Sequence, residues 1–272
     1  MELVIRRARP ADRAEVMAAL RSDDYVPDVF DEWVRLRRDR LFVATLDMRV
    51  VGVARLSWLD PTHAWLEALR VHPRFRRRGV GRALMRHRIG LARDGGARWI
   101  GFSTAADNEP MRRNARALGF RVAARFQGVE ATAVAGEPPA RARRGDIARL
   151  WRHVAGRDVM IGDGGRWRWQ PLRGDDLRRA ISRGLCFIDE TEGEPRAFAI
   201  VDPRTSWLWV RVLVGSAPGR GRLLRALRAE ARRRGLRKVG YSMPVPGIAR
   251  TVVGAGFPAS PWAAALLYAR EL

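Results

Sequence analysis

The sequence predicts an α/β (α+β) protein in which one domain plan occurs twice. Three observations carry that prediction: ordered internal matches along the 272 residues, alternating strand-type and helix-type hydrophobic patterns, and a glycine-rich turn between a strand and a helix in each half. Arg78-Gly79-Val80-Gly81-Arg82-Ala83-Leu84 is answered by Pro218-Gly219-Arg220-Gly221-Arg222-Leu223-Leu224. Gly96-Ala97-Arg98-Trp99-Ile100-Gly101-Phe102-Ser103 is answered by Gly235-Leu236-Arg237-Lys238-Val239-Gly240-Tyr241-Ser242. Leu118-Gly119-Phe120 pairs with Ala255-Gly256-Phe257, and Ala11-Asp12 with Gly145-Asp146. Four matches in one order, with a slowly drifting spacing, point to duplication with small loop changes. Glycine and proline at 135–140 interrupt both helix and strand patterns, so the expected domains are residues 1–135 and 141–272.

Within the first copy, Arg9-Pro10-Ala11-Asp12 opens an amphipathic helix with apolar Val16, Met17 and Leu20. Residues 23–38, holding Tyr25, Phe30 and Trp33, read as a loop and a second helix. Leu41–Leu46 and Val50–Leu56 are expected strands joined by a tight turn at Asp47-Met48-Arg49. A strand over Trp65–Val71, a helix over Gly81–Arg93, a strand over Trp99–Ser103 and a helix over Pro110–Leu118 follow. The second copy repeats the plan. It has a helix from Asp146, strands near Leu185–Asp189, Ala197–Val201 and Trp207–Val214, and a helix over Gly221–Arg234.

Composition narrows the function classes. Basic residues outnumber acidic ones 52 to 29, a formal charge of +23, yet Lys238 is the lone lysine. Polyanion-binding surfaces draw on both basic types, so the arginine excess reads as compositional bias. It implies attraction to phosphates in general, and nucleic acid is not the expected partner. Cys186 alone allows no intramolecular disulfide and no cysteine cluster for zinc, which fits a reducing, cytoplasmic setting. The amino terminus holds only three apolar residues, Leu3 to Ile5, between Glu2 and Arg6, so no signal peptide is expected. No apolar run approaches the ~18 residues that cross a bilayer.

The segment with chemistry in it runs Leu69-Arg70-Val71-His72-Pro73-Arg74-Phe75-Arg76-Arg77-Arg78-Gly79-Val80-Gly81-Arg82. A strand ends, a basic turn follows, and a helix starts at a pair of glycines. The first turn of a helix leaves amides without intrahelical acceptors, and the macrodipole adds positive charge there. Phosphate oxygens fit that end, and glycine lets amides approach them closely. The other reading is an ordinary glycine turn with a solvated arginine run. A P-loop is excluded, because no Gly-Lys-Ser/Thr triplet occurs. A dinucleotide fingerprint is excluded because position 84 is leucine.

Taken together, these residues resemble the GNAT superfamily of acyl-CoA-dependent N-acetyltransferases. Its signature, Arg/Gln-x-x-Gly-x-Gly/Ala, reads here Arg76-Arg77-Arg78-Gly79-Val80-Gly81. The preceding Leu66-Glu67-Ala68-Leu69-Arg70-Val71-His72-Pro73 looks like the family's strand and turn, and the stretch from Asn108-Glu109-Pro110-Met111 to Leu118-Gly119-Phe120 like its later helix. The resemblance covers most of residues 1–130 and rests on three separated motifs in order. It implies two tandem GNAT-like domains, each a mixed, mostly antiparallel twisted sheet flanked by helices. It also implies acetyl-CoA as co-substrate, no metal, and direct transfer of acetyl to an amine of a small molecule or peptide in a ternary complex. The competing reading is a non-catalytic acyl-CoA-binding or interaction protein with the same fold.

By that resemblance the amides of Arg77, Arg78, Gly79, Val80, Gly81 and Arg82, with Arg76, would cradle the coenzyme A pyrophosphate. Leu69 to Val71 would pair with the pantetheine arm like an added strand, and Asn108 would lie near the thioester. Glu67 is the candidate base. Strict strand alternation places it on one face with Leu69 and Val71; whether that face meets the cofactor is open. A strand carboxylate paired with an arginine is its other reading. Family members often carry a tyrosine four residues before the Gly-Phe glycine to protonate the leaving thiolate, but here that position is Ala115. Tyr25 becomes the candidate acid, with an acceptor-pocket wall or a packed loop aromatic as alternatives. His63 and His72 read as turn residues.

The second copy looks like the same fold without the cofactor grip. Ser216 stands where the first copy has Arg76, Pro218 removes an amide donor, and Trp207–Val214 contains no acidic residue. It is expected to be structural or to shape the acceptor site. Trp151, Trp167, Trp169, Trp207, Trp209 and Trp262 crowd this half; Trp207 and Trp209 alternate onto one strand face.

Overall fold

The computed structural model describes residues 2–18, 20, 24–163, 167–245, 249–260 and 264–272. Trp262 and Asp23 lie outside them. The chain divides into two compact units. One comprises residues 1–103, 108–123 and 268–272; the other comprises 104–107 and 124–267.

The first unit starts with β1 (Leu3–Arg7), a 3-10 turn at Pro10–Asp12, and helices α1 (Arg13–Ala18) and α2 (Val26–Arg35). Strands β2 (Arg40–Leu46) and β3 (Arg49–Trp58) form a hairpin whose turn residues Asp47 and Met48 both take positive φ, the twist-matched geometry for a two-residue turn. Then come β4 (His63–Val71), α3 (Val80–Asp94), β5 (Trp99–Ala105) and α4 (Glu109–Ala117). The strand order is β1-β2-β3-β4-β5, with antiparallel pairing except between β4 and β5. Val16, Val26, Phe30 and Trp33 pack on Val43, Val53 and Ala68 across one sheet face. On the other face α3 approaches closely over Gly52, where an added Cβ would lie 3.1 Å from Leu84 and 3.2 Å from Val80.

The second unit holds most of β6 (Arg121–Thr132), then β7 (Ala140–Arg141), α5 (Ile147–Trp151), the β8 (Met160–Gly162) and β9 (Trp169–Pro171) hairpin, and α6 (Gly174–Ser182). It continues with β10 (Cys186–Thr191), β11 (Glu194–Arg204), β12 (Trp207–Gly215), α7 (Ala217–Arg233), β13 (Lys238–Val245) and α8 (Ala249–Gly254). Its strand order is β6-β13-β12-β11-β10-β7, again antiparallel except for β12 with β13. The last strand, β14 (Ala265–Glu271), delivers Tyr268 onward to the first unit. There Tyr268 stacks on Phe102 at 5.2 Å and Arg270 donates to the Leu118 carbonyl at 2.6 Å. The expected strands and helices are present, with α7 starting four residues before its glycine-based expectation. β1, β6, β7, the β8–β9 hairpin, α6, β13, α8 and β14 have no counterpart in the sequence-based expectation. Among the described residues no helix is long and apolar enough to cross a membrane.

Candidate active site

The basic turn folds as an open bend. After β4, Pro73–Phe75 form a 3-10 turn, Arg76 is extended, and Arg77 and Gly79 both take the left-handed conformation, with φ of 64° and 81°. Gly79 caps α3, and Ala83 is the first residue whose amide reaches back, to the Gly79 carbonyl at 2.9 Å. The amides ahead of it therefore face outward at the positive end of a helix spanning Val80–Asp94. Arg76, Arg77, Arg78 and Gly79 are exposed, and a Cβ placed on Gly79 would meet nothing within 4 Å. An anion has room there.

Beside the bend, β4 and β5 part. Their parallel pairing covers His63–Trp65 against Trp99–Gly101 only, and β4 continues for six residues past it. A β-bulge lies in this stretch: Arg55 pairs with Glu67 and Val53 with Arg70, and Ala68 takes a φ of 56°. One extra residue reverses the parity of every side chain beyond it. The alternation argument that put Glu67 on one face with Leu69 and Val71 is thereby corrected. Leu69 and Val71 point toward α3, within 3.9 and 3.6 Å of a Cβ built on Gly81. Glu67 turns to the α2 face instead.

On that face Glu67 is part of a polar cluster inside an apolar wall. Its Oε1 accepts from Arg55 Nη1 at 2.9 Å and from Ser57 Oγ at 2.8 Å, and its side chain is 17% exposed. Arg55 also reaches Asp39 at 2.8 Å and lies 4.2 Å above the Trp33 ring. Tyr25, at the start of α2, meets Trp33 edge-on at 6.0 Å and remains 46% exposed. Burial of its hydroxyl end, then the charges of Glu67 and Asp24, push the phenol above its ordinary pKa despite Arg70 and Arg55, so it stays protonated at neutral pH. Arg70 sits 5.7 Å from the Tyr25 ring and pairs with Asp24 at 2.5 Å. Both candidate proton-transfer groups thus lie in one cluster.

The other expected residues are placed as follows. Asn108 caps α4, accepting from the Met111 amide at 3.3 Å. Ala115 is buried. His63, expected in a turn, is instead the first residue of β4 and pairs with Asp60 at 2.8 Å; His72 caps the 3-10 turn and accepts from the Arg74 amide at 3.2 Å. Sequence reasoning missed Arg55 and Ser57 as partners of Glu67, and Asp39 as the second carboxylate on Arg55. It also missed Asn114, whose side-chain nitrogen lies 3.9 Å from a Cβ built on Gly81. Arg55 and Ser57 carried a readable signal, two polar residues at i and i+2 inside the otherwise apolar Val50–Trp58 run. Among the described residues no His/Cys/Asp/Glu group is arranged to hold a metal ion.

The corresponding bend in the second unit is closed by its own side chains. Ser216 Oγ accepts from the Gly219 amide at 3.3 Å. A Cβ on Gly219 would lie 3.0 Å from both Ser216 Oγ and the Asp189 carboxylate, which Arg222 binds through two nitrogens at 2.9 and 2.7 Å. Trp207 and Trp209 stack at 5.0 Å, with Lys238 Nζ 5.1 Å from the Trp207 ring. Trp209 lies flat over Gly240, and Trp169 stacks on Phe126 at 4.2 Å. These rings are packed against their own unit.

Residues 9–120 match the model of the acetyltransferase (GNAT) family. No curated protein matches the chain. Among solved structures it resembles a GCN5-related N-acetyltransferase from Sphaerobacter thermophilus, with a TM-score of 0.68, 19% identity, and 99% and 95% of the two chains covered. A structure from Thermoplasma acidophilum follows, with a TM-score of 0.66, 18% identity and coverage of 99% and 100%. A tandem GNAT protein from the clavulanic acid biosynthesis pathway has a TM-score of 0.60, 16% identity and coverage of 99% and 98%. The chain therefore has a tandem GNAT fold.

Proposed function

We propose that the first domain binds acetyl-CoA and transfers its acetyl group directly to an amine. The observation that carries this reading is the open bend at Arg76–Arg82, whose outward amides and arginines suit a pyrophosphate. Beyond Trp65 the edge of β4 opposite β3 is no longer paired with β5, which suits the pantetheine arm as an added strand. Asn108 would lie near the thioester end. In the reaction the amine nitrogen forms a bond to the acetyl carbon and the carbon–sulfur bond breaks. A free aliphatic amine is mostly protonated near neutral pH, with a pKa of about 10.4, so a proton acceptor is needed. Glu67, oriented by Arg55 and Ser57, takes that proton. The thiolate takes a proton from Tyr25, which lies in the same cluster and is reprotonated by the second proton the nitrogen releases as the amide forms, while Glu67 returns the first to solvent.

The second domain is a degenerate copy with a structural or acceptor-shaping role. Ser216 and Asp189 stand at its helix N-terminus, where a phosphate would have to sit. The test is an amine panel of a polyamine, an aminoglycoside, amino acids and a peptide N-terminus, followed by release of free coenzyme A. Glu67→Gln is expected to lower turnover by about 100-fold or more while acetyl-CoA affinity holds. A variant with full turnover across the pH range would remove Glu67 from the mechanism.

A further inference from the structure

Arg88 is a fully buried arginine, 1% exposed, on the sheet-facing side of α3 among Leu84, Met85 and Ile89. Such a charge is costly to bury and ordinarily takes a carboxylate partner. Among the described residues no carboxylate lies within ion-pair distance of Arg88, and only the more distant charge of Glu67 favours its charged form. Its Nε donates to the Leu84 carbonyl at 3.1 Å, and its Nη1 donates to the Arg55 carbonyl at 2.8 Å and the Glu67 carbonyl at 3.2 Å. Burial pushes the guanidinium down to about 9, so it remains charged at neutral pH. Arg55 and Glu67 are the cross-strand pair that precedes the bulge at Ala68. One guanidinium nitrogen therefore binds both strands where their register shifts, from the helix that begins at the anion bend.

We infer that Arg88 is a positioning residue that holds the Ala68 bulge, keeping Glu67 turned to the α2 face while Leu69 and Val71 face α3. The inference rests on Glu67 being the base. Its physical ground is that the bulge is not the relaxed state of this strand pair. Ala68 takes a left-handed φ that an L-alanine adopts at a cost. A slip into regular pairing would relieve it and return Glu67 to the Leu69 face. The two carbonyl bonds from Arg88 oppose that slip.

Hydrogen exchange followed by mass spectrometry on the full chain, without ligand, tests this. Arg88→Met keeps the length and removes the donors. Amides 66–71 are expected to exchange about 10- to 100-fold faster, as for loss of hydrogen bonds from a charged donor, with α4 and the second unit unchanged. Arg88→Lys should restore part of the protection. Ala68→Gly combined with Arg88→Met should restore it too, because glycine holds the bulge without strain. Turnover of an amine accepted in the panel should fall in Arg88→Met without loss of acetyl-CoA affinity. Unchanged exchange at 66–71, or acceleration spread evenly through the first unit, overturns the inference. If Arg88→Met does not fold, Arg88→Lys decides by the same criterion. Full turnover in Glu67→Gln would instead sink the base assignment while leaving the exchange result intact.

Discussion

Replacing Gly79 by aspartate separates folding from cofactor binding at the bend. Gly79 has φ 81° and ψ −8°, and a Cβ there meets nothing within 4 Å, so the cost of the substitution is conformational, about 1 kcal/mol. An N-cap aspartate returns a similar amount by capping α3. The free protein should melt within a few degrees of the parent. In the complex, the new carboxylate would stand about 5 Å from the pyrophosphate. At an effective dielectric of about 20, each like-charge pair then costs about 3 kcal/mol, which lowers affinity about 100-fold. Calorimetry with acetyl-CoA reads this directly. Gly79→Ala carries the same backbone strain without the charge and should lose far less. Affinity of Gly79→Asp close to the parent's would refute the placement of phosphate at this bend.

Crystals soaked with coenzyme A should show it in the first unit alone; equal occupancy at the α7 bend, despite Ser216 and Asp189, would overturn the degenerate assignment. His87 lies edge-on to Phe42 at 5.0 Å, and burial, then the charge of Arg88, hold its pKa below the ordinary 6.5. The unfolded chain takes up that proton at higher pH than the folded one. The stability His87 contributes is thus complete above about pH 6.5 and lost as pH falls below it, by at most about 1.4 kcal/mol per pH unit. Urea midpoints between pH 7 and 5 should fall more steeply for the parent than for His87→Gln; parallel slopes would refute this.

The open bend ahead of α3 was legible in the sequence because it is local. Arg76 to Gly81 span one turn, and two glycines at a strand-to-helix junction dictate both the left-handed cap and the outward amides. The duplication and the hydrophobic periods were legible for the same reason, since each period is set by residues close in the chain. Glu67 was legible as a carboxylate in a strand, but its direction was not. That depends on a bulge whose register is set by β3 across the sheet and by Arg88 from the opposite layer. Period-two counting cannot see an inserted residue.

The sequence by itself determined the fold class, the tandem plan and the glycine bend ahead of α3, all consequences of short-range patterning. Only the tertiary structure decided which face carries Glu67, that Arg55, Ser57 and Tyr25 gather around it, and that Tyr268–Leu272 complete the first unit's packing. The reason is physical. Register, burial and long-range pairing are set by contacts between segments far apart in the chain, where no local spacing records who the neighbour will be.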